Sequence, residues 1–208
     1  MFKLHPKLRR APADAGRSTL EIRGVFEFSS MKIAEDIYTA QQIYSLTECQ
    51  EFIALSEEIG YQDAPISTSG GEALRPDVRN NARVILDDEE LAEKIWRRVL
   101  PHAPTMLYGR RALGLNERLR FYRYDPGQRF ESHVDGYYQR PNGEQSLLTF
   151  MLYLNEDFEG GETRFQNGVR IIPQTGMILM FMHTLDHEGA AVTRGRKYVL
   201  RSDIMFSP

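Results

Sequence analysis

Two histidines and one aspartate form the most informative pattern in this chain. His133 and Asp135 are separated by a single residue, and His187 follows much later. Two imidazoles and one carboxylate are the ligand set that holds a ferrous ion while leaving coordination positions open. Because alternate residues of a strand share one face, the spacing predicts that His133 and Asp135 lie together on one strand, with His187 on a distant one.

The histidines also allow other interpretations. His-x-Asp is a common pattern in a chain with five histidines, and His133 could be an ordinary surface or core histidine that accepts a hydrogen bond. His183 and His187 are spaced like the paired helical ligands of zinc proteases. However, the apolar segment before His183 indicates a strand, Gly189 follows at once, and no glutamate comes directly after His183. We therefore predict that His183 lies at a strand end and lines or caps the core.

The elements that would position the triad are short strands in the second half of the chain. Alternating or continuous apolar residues predict strands over 118–124, 147–154, 177–182 and 197–206. The tripeptide Asp125-Pro126-Gly127 is typical of a turn. Helices followed by many short strands favour an α+β fold whose second half is a sandwich or a jelly-roll barrel.

Two helices are predicted before these strands. The first begins near Thr47, because Thr47-x-x-Gln50 has the pattern of a capping box, and it ends at Gly60. Cys49 lies on the apolar face of this helix, so we expect a small buried hydrophobic side chain rather than a reactive thiol. The second helix begins after Asp88, whose carboxylate suits a helix N-terminus.

The chain is long enough for one domain with a substantial core. Residues 1–18 combine prolines, a glycine and several charges, which is typical of a flexible leader, and we assign 19–208 to a single domain. Within it we predict a helical flank over about 30–110 and a strand-rich core over about 115–206. The polar segment 61–83 has no clear periodicity, and a loop of this length is either disordered or functional.

Charge and cysteine content restrict the partners. The net charge is −3 and the pI is about 6.0, so no global positive field draws the protein onto nucleic acid or an anionic membrane. No apolar run is long enough to span a membrane, and the N-terminal segment lacks the apolar stretch of a secretory signal. The single cysteine excludes an intramolecular disulfide, which fits a reducing compartment. We expect a cytoplasmic protein, and the sequence leaves its oligomeric state open.

Four linked segments around the triad resemble the prolyl 4-hydroxylase-like branch of the iron(II)/2-oxoglutarate-dependent dioxygenases. They are RYDPGQRFESHVD (123–135), LTFMLYLNEDFEGGETRF (148–165), PQTGMILMF (173–181) and HEGAAVTRGRKY (187–198). Their order, spacing and glycine positions agree with that family over nearly half of the chain. The resemblance implies a double-stranded β-helix, a jelly-roll and cupin-like core, with N-terminal flanking helices.

The resemblance also implies roles for individual residues. The family's iron ligands fall on His133, Asp135 and His187. Its basic residue ten positions after the last ligand, which pairs with the distal carboxylate of 2-oxoglutarate, falls on Lys197. The family also has a tyrosine and a threonine that could donate hydroxyl hydrogen bonds to this carboxylate.

The family's tyrosine nine residues before the first ligand falls on Tyr124, and the threonine of its Gly-Gly-Glu-Thr turn falls on Thr163. For both, sheet packing and turn stabilisation are alternatives. One departure concerns the substrate, because these enzymes usually have tryptophan six residues after the lysine and this chain has Asp203. A lid that grips an acidic or peptide substrate could be formed by Arg75, Arg79, Asn80, Asn81 and Arg83, and two further substrate candidates, Tyr137 and Tyr138, lie just past the iron ligands.

The expected activity is therefore hydroxylation of an unactivated C–H bond by an enzyme that uses iron(II), 2-oxoglutarate and O2, with succinate and CO2 as co-products. A peptide or protein substrate, plausibly at proline, is the first expectation. The same chemistry on a free amino acid or small molecule, or on a nucleic-acid base by oxidative demethylation, is the alternative. A non-catalytic, metal-binding, cupin-like module is a third interpretation. Ascorbate dependence and L-ascorbic acid binding are expected from the family alone.

Overall fold

Strands make up most of the fold. The computed structural model describes residues 31–68 and 70–208, so the predicted leader over 1–18 lies outside the described residues. In chain order the strands are β1 (Met31–Ala34), β2 (Ile37–Ala40), β3 (Gln62–Asp63), β4 (Ile66–Thr68), β5 (Gly71–Ala73), β6 (Ala82–Asp87), β7 (Met106–Leu107), β8 (Arg110–Leu115), β9 (Arg118–Tyr124), β10 (Phe130–His133), β11 (Gln145–Tyr153), β12 (Glu159–Gly160), β13 (Thr163–Phe165), β14 (Arg170–Ile171), β15 (Ile178–Met182), β16 (His187–Gly189), β17 (Val192–Arg194) and β18 (Lys197–Phe206). The helices are α1 (Leu46–Ile59) and α2 (Glu89–Val99), and a 3-10 turn (Leu100–His102) follows α2. The four strands predicted from apolar runs are confirmed as β9, β11, β15 and β18.

Ten strands form the main antiparallel sheet. Their order is β1-β2-β15-β11-β18-β9-β6-β3, with β8 paired to β18 and β7 paired to β8. Strand β18 lies between β11 and β9, and every one of its residues is buried. Because side chains alternate along a strand, Lys197, Val199 and Arg201 share one face of β18, and Leu200 and Ile204 share the other.

A second sheet packs against the inner face of the main sheet. Its four strands have the order β10-β16-β13-β14, while β12 pairs with β17 and β4 pairs with β5. Buried side chains from both sheets meet in one cluster, which includes Tyr122, Tyr153, Phe165, Phe181 and Val199. Two facing antiparallel sheets with a shared core confirm the predicted α+β fold with a jelly-roll, double-stranded β-helix core.

The start of α1 differs from the sequence prediction. The N-cap is Ser45 and not Thr47, because the Ser45 hydroxyl accepts a hydrogen bond from the backbone of Glu48, whose carboxylate accepts one from the Ser45 N–H in return. This is a capping box two residues before the predicted one. The predicted end at Gly60 is confirmed: this residue has φ +94°, and its N–H donates to the carbonyl of Ser56.

Both helices cover the outer face of the main sheet. Asp88 caps α2 by accepting a hydrogen bond from the Leu91 N–H, as predicted for this end. Trp96 and Cys49 are buried against the sheet's outer apolar side chains, which confirms the burial predicted for Cys49. Burial raises the pKa of the Cys49 thiol to about 11, so the thiol is protonated near neutral pH. Neither helix of the described chain is both long and apolar enough to cross a bilayer.

The prediction of a helical flank over about 30–110 needs correction. This segment holds both helices, but it also contributes β1 to β7. Strands β1, β2 and β6 extend the main sheet at its two sides through backbone pairing. The segment 61–83, predicted as a loop, contains β3, β4, β5 and the start of β6. The strands β3, β4 and β5 are too short for hydrophobic periodicity to indicate them. Backbone pairing stabilises them instead: β4 and β5 pair with each other, and β3 pairs with β6.

Candidate active site

The second sheet brings the two histidines of the triad together. His133 ends β10 and lies directly opposite His187 of β16 in the antiparallel register. Asp135 is not in a strand, contrary to the prediction. Its N–H instead donates to the carbonyl of His183, which turns the chain back toward the histidines. One ligand atom from each of His133, Asp135 and His187 lies within 4.8 Å of the others.

Both imidazoles are oriented with Nε2 toward the aspartate. His133 Nδ1 lies 2.7 Å from the carbonyl oxygen of Glu131, and His187 Nδ1 lies 3.0 Å from that of Leu185. A carbonyl only accepts hydrogen bonds, so each Nδ1 carries the proton and each Nε2 keeps a lone pair. The Nε2 atoms lie 3.8 and 3.7 Å from the carboxylate oxygens of Asp135. Burial and the neighbouring imidazole lower the pKa of His133 to about 4, so its ring is neutral at pH 7.

The Asp135 carboxylate is held from both sides. The Thr149 hydroxyl donates to Oδ2 at 2.5 Å, and Nη2 of Arg201 lies 3.1 Å from Oδ1. Burial acts to raise the pKa of Asp135, but Arg201, the two histidines and the Thr149 hydroxyl outweigh it and hold this pKa below its usual value. The carboxylate is therefore ionised and fixed in orientation, as a metal ligand must be.

A buried hydrogen-bond chain supports this carboxylate. The single hydroxyl proton of Thr149 is directed at Asp135, so the contact of 2.9 Å between Thr149 Oγ1 and His183 Nδ1 has the imidazole as donor. His183 Nε2, at 2.9 Å from Ser146 Oγ, then accepts from the Ser146 hydroxyl. His183 follows β15 directly and is 4% exposed, which confirms its predicted position at a strand end lining the core. The chain itself was not anticipated from the sequence.

Lys197 is buried at the start of β18, opposite Tyr124 of β9. Its Nζ donates to the carbonyl of Gly161 at 2.5 Å and lies 5.2 and 5.5 Å from the ring centres of Tyr124 and Tyr153. The hydroxyls of Tyr153 and Thr163 are hydrogen-bonded to each other at 2.8 Å. Burial lowers the pKa of Lys197 to about 7, partly offset by Glu162. Among the described residues, no carboxylate forms an ion pair with Lys197.

One pocket joins the triad and the lysine. Its space, counted together with the open mouth, is about 430 Å³. The residues that line it are Tyr122, Tyr124, Phe130, His133, Asp135, Thr149, Met151, Thr163, His187, Gly189, Lys197 and Arg201. The structure therefore brings together all six residues that were predicted to hold iron and 2-oxoglutarate.

The residues present fit an iron(II) ion and 2-oxoglutarate. Two imidazoles, each with Nε2 toward the aspartate, converge with one ionised carboxylate, and this donor set suits ferrous iron with open coordination positions. At the other end of the pocket, Lys197 is a buried cation without an acidic partner in the described part of the chain. Such a group is costly to bury unless an anion pairs with it, and the distal carboxylate of 2-oxoglutarate would supply this anion.

Three of the predicted substrate residues lie away from this pocket. Arg75 is exposed and pairs with Asp77, and Arg83 pairs with Glu72. Tyr137 is 65% exposed, just past the triad's aspartate, and it is not among the residues that line the pocket. The prediction that Arg75 and Arg83 belong to a lid over the site is not supported by their contacts, because neighbouring carboxylates already satisfy both side chains.

Arg79 and Asn81 were also assigned to an exposed lid, and the structure corrects this. Both are buried, and Arg79 Nε donates to the side-chain oxygen of Asn81 at 2.7 Å. The backbone of Arg79 bridges to that of Phe130, which places this segment beside β10. The sequence pattern placed these residues in a polar loop, and only the packing against aromatic rings buries them.

Asp203 was noted in the sequence as a departure from the family, whereas Arg201 was not predicted as a site residue. Asp203 is buried, with Oδ1 at 3.1 Å from Arg201 Nη2 and Oδ2 at 3.3 Å from Arg120 Nη1. Both Arg201 and Asp203 follow the two-residue spacing that begins at Lys197, so they point to the inside of the barrel. This spacing is the signal that could have identified Arg201 as a site residue.

Comparisons with known proteins agree with this geometry. The sequence profile of the 2OG-Fe(II) oxygenase superfamily matches residues 119–202, a segment that contains the triad and Lys197. Probable prolyl 4-hydroxylase 3 of Arabidopsis thaliana is 24% identical over 188 residues, covering 74% of this chain and 63% of the relative. Probable prolyl 4-hydroxylase 10 of the same plant is 31% identical over 114 residues, covering 39% of each chain. The chain thus spans about three fifths of the length of the first of these relatives.

Solved structures share the fold. A viral collagen prolyl hydroxylase from Paramecium Bursaria Chlorella virus-1, solved with 2OG, aligns with a TM-score of 0.58 at 22% identity, over 82% of this chain and 96% of its own. A prolyl hydroxylase from Trichoplax adhaerens, in complex with a peptide fragment of a hypoxia inducible factor, aligns with a TM-score of 0.64 at 15% identity, over 81% and 83%. The profile match makes residues 119–202 similar to the 2OG-Fe(II) oxygenase superfamily, and the solved prolyl hydroxylases share the fold of this chain.

Proposed function

We propose that this protein is an iron(II)- and 2-oxoglutarate-dependent dioxygenase that hydroxylates an unactivated C–H bond. The observation that carries the proposal is the single pocket in which the converging His133, Asp135 and His187 lie together with the unpaired buried cation of Lys197. When bound, iron(II) supplies the site at which O2, 2-oxoglutarate and a substrate C–H bond are converted to an alcohol, succinate and CO2.

The chain's own residues would bind and orient the reactants. His133, Asp135 and His187 would hold the metal on one side and leave its other positions to small molecules. Lys197, with the hydroxyls of Tyr124 and Thr163 nearby, would pair with the distal carboxylate of 2-oxoglutarate and fix its orientation. The aromatic and apolar walls of the pocket would exclude water from the reacting centre.

The test is anaerobic addition of iron(II) and 2-oxoglutarate to the full chain. We expect the weak visible charge-transfer band of this enzyme class, its loss in His133→Ala, and slow formation of succinate from 2-oxoglutarate once O2 is admitted. A band without succinate formation would indicate a metal-binding module without turnover. Absence of the band in the wild-type protein would contradict the proposal as a whole.

For the substrate, we propose a peptide or protein, with proline as the first residue to test. This proposal is supported by the relatives, which are named as prolyl 4-hydroxylases, and by a solved neighbour that holds a peptide fragment. A mass-spectrometric screen for the gain of one oxygen atom across proline-containing peptides, free amino acids and oligonucleotides tests it. Adding or omitting ascorbate in the same screen tests whether a reductant is needed to keep the iron ferrous.

A further inference from the structure

Arg79 is a buried cation that the proposed reaction does not use. The residue is 6% exposed, and among the described residues no carboxylate forms an ion pair with it. Its Nε donates to Asn81, a neutral amide, and its Nη2 is buried without a hydrogen-bond partner. Leaving a buried charged donor unsatisfied is unfavourable, so a partner from outside the chain would stabilise this guanidinium.

Two pocket-lining rings fix the position of this guanidinium. Its central carbon lies 4.4 Å from the ring centre of Tyr122 and 4.5 Å from that of Phe130. Phe130 in turn stacks on the imidazole of His133, with ring centres 3.5 Å apart. Cation–π contacts of this kind hold a guanidinium in place without neutralising it. The charge of Arg79 is thus held one aromatic ring away from the metal triad.

A count of charges shows that 2-oxoglutarate does not account for Arg79. The two positive charges of iron(II) and the two negative charges of the 2-oxoglutarate dianion cancel. The distal carboxylate of the dianion is assigned to Lys197. Arg201 lies against the carboxylates of Asp135 and Asp203, both at 3.1 Å. The three cations Lys197, Arg79 and Arg201 thus face two carboxylates, and one positive charge remains in the loaded site. Arg120, which also pairs with Asp203, adds to this excess.

The pKa of the Tyr122 phenol is consistent with this excess of positive charge. Complete burial acts to raise its pKa, but Arg79, Arg201 and Arg120 outweigh burial and the pKa is lowered. Burial is the largest cause that raises the pKa of Tyr153, and no arginine of the described chain contributes to that shift. Arg79, Arg201 and Arg120 thus favour the anionic form of Tyr122, a side chain that lines the pocket.

We propose that the substrate carries a carboxylate, and that this carboxylate pairs with Arg79, which does not itself line the pocket but lies against the pocket-lining rings of Tyr122 and Phe130. The proposal rests on the proposed function and narrows its substrate class. A peptide with an acidic residue close to the hydroxylated position and a small acid such as an N-acyl amino acid both carry this group. A neutral substrate would leave the Arg79 charge buried and unpaired.

The first test compares acids with their amides on the wild-type protein. The probes are N-acetyl amino acids paired with their primary amides, and proline peptides that differ only by glutamate or glutamine beside the proline. Each is added to the iron(II)- and 2-oxoglutarate-loaded full chain, and hydroxylation and the shift in thermal unfolding midpoint are measured. At least one acid should be preferred over its amide by about 30-fold or more in kcat/KM or in affinity, since removing one partner of a buried charge pair costs at least about 2 kcal/mol. If no acid is preferred over its amide across the set, the proposal is overturned.

The second test asks whether Arg79 is the residue that discriminates. In Arg79→Gln, the preference for the acid should collapse to within about threefold of the amide, mostly through the KM for the acid. Arg97→Gln removes an exposed arginine of α2 that pairs only with Glu93, and it should keep the wild-type preference. If Arg79→Gln keeps the preference, or if its loss appears in the KM for 2-oxoglutarate, the assignment of Arg79 to the substrate is wrong.

The two proposals fail in different ways. If the wild-type protein shows neither the charge-transfer band with iron(II) and 2-oxoglutarate nor succinate formation without substrate, the proposed function is wrong. The inference about the substrate then has no basis. A normal band and normal succinate formation, combined with equal use of acids and amides, would remove only the inference about the substrate.

Discussion

Nη2 of Arg201, on the main sheet, lies 3.1 Å from Oδ1 of Asp135, just beyond β10 of the second sheet. The two residues are far apart in sequence and meet only because the sheets face each other. The contact places a permanent cation against the one anionic ligand of the triad, and it keeps that carboxylate ionised. We therefore expect the metal site to resist mild acid.

Replacing Arg201 should make metal binding more sensitive to pH. Arg201 lowers the pKa of Asp135, so Arg201→Met raises it, and protons then compete with the metal as the pH falls. We expect the affinity for Mn(II), a stand-in for iron(II), to fall more steeply in the variant than in the wild type between about pH 7.5 and about pH 5.5. Electron paramagnetic resonance titration of free Mn(II) measures this. The exposed Arg194→Met is the matched control, and identical pH profiles of Arg201→Met and wild type would rule out the role of Arg201.

Removal of the Thr149 hydroxyl should weaken metal binding at all pH values. Thr149→Val keeps the shape of the side chain but removes the hydrogen bond to Asp135 Oδ2 and the acceptor for His183. Loss of such a supporting contact lowers metal affinity by about 10- to 100-fold in other metal sites. Mn(II) titration again provides the measurement, with Thr193→Val on an exposed strand position as control. A Thr149→Val affinity equal to that of wild type would show that the hydrogen-bond chain does not support the ligand.

The affinity for 2-oxoglutarate should fall as the pH rises above about 7. Burial lowers the pKa of Lys197 to about 7, and a bound carboxylate raises it again because it favours the charged form. Above the pKa of the free protein, binding must be accompanied by proton uptake, so Kd should increase by about tenfold per pH unit. Calorimetry in buffers of different ionisation enthalpy measures both the Kd and the proton uptake. A Kd that is constant between about pH 7 and about pH 9 would contradict the depressed pKa.

The same burial predicts opposite effects of Lys197→Met on stability and on binding. The folded-state pKa of Lys197 lies below its ordinary value of 10.5, so the buried charge destabilises the ligand-free protein most fully below about pH 7. This penalty disappears as the pH rises toward the unfolded-state pKa. Lys197→Met should therefore raise the unfolding midpoint at about pH 6, while it weakens 2-oxoglutarate binding by about 100-fold. Lys94→Met, on the exposed face of α2, should change neither quantity.

Gly161→Ala should disturb both the turn and the lysine. Gly161 has φ +68°, and an added Cβ would lie 2.9 Å from Phe158 Cε2 and 3.2 Å from Lys197 Cδ. We expect a loss of about 1–3 kcal/mol in the free energy of unfolding and a higher KM for 2-oxoglutarate. Gly127→Ala is the control, because Gly127 also has a positive φ, +84°, but open space around its Cα. If both variants raise the KM equally, contact with Lys197 is not the cause.

The sequence by itself determined the chemistry-bearing residues and the main strands of the core. The triad and Lys197 were identified because their types and offsets match a ligand set and a family pattern. Strands β9, β11, β15 and β18 were predicted because alternating or continuous apolar residues must be buried whatever their neighbours are. Residue types, offsets and apolar patterns are local properties, so they can be read from the sequence without knowledge of the tertiary contacts.

Only the tertiary structure decided which side chains support the site. Thr149 and His183 reach Asp135, and Arg201 pairs with it, through contacts between elements that are distant in the chain. Arg79 looks like a polar loop residue in the sequence, yet the rings of Tyr122 and Phe130 bury it. The two-residue period of a strand fixes which face a side chain occupies, but not which strands are neighbours or in what register they pair. Sheet pairing decides which strands are neighbours and in what register they pair. These two features determine whether a charged residue is solvated or buried beside the metal triad.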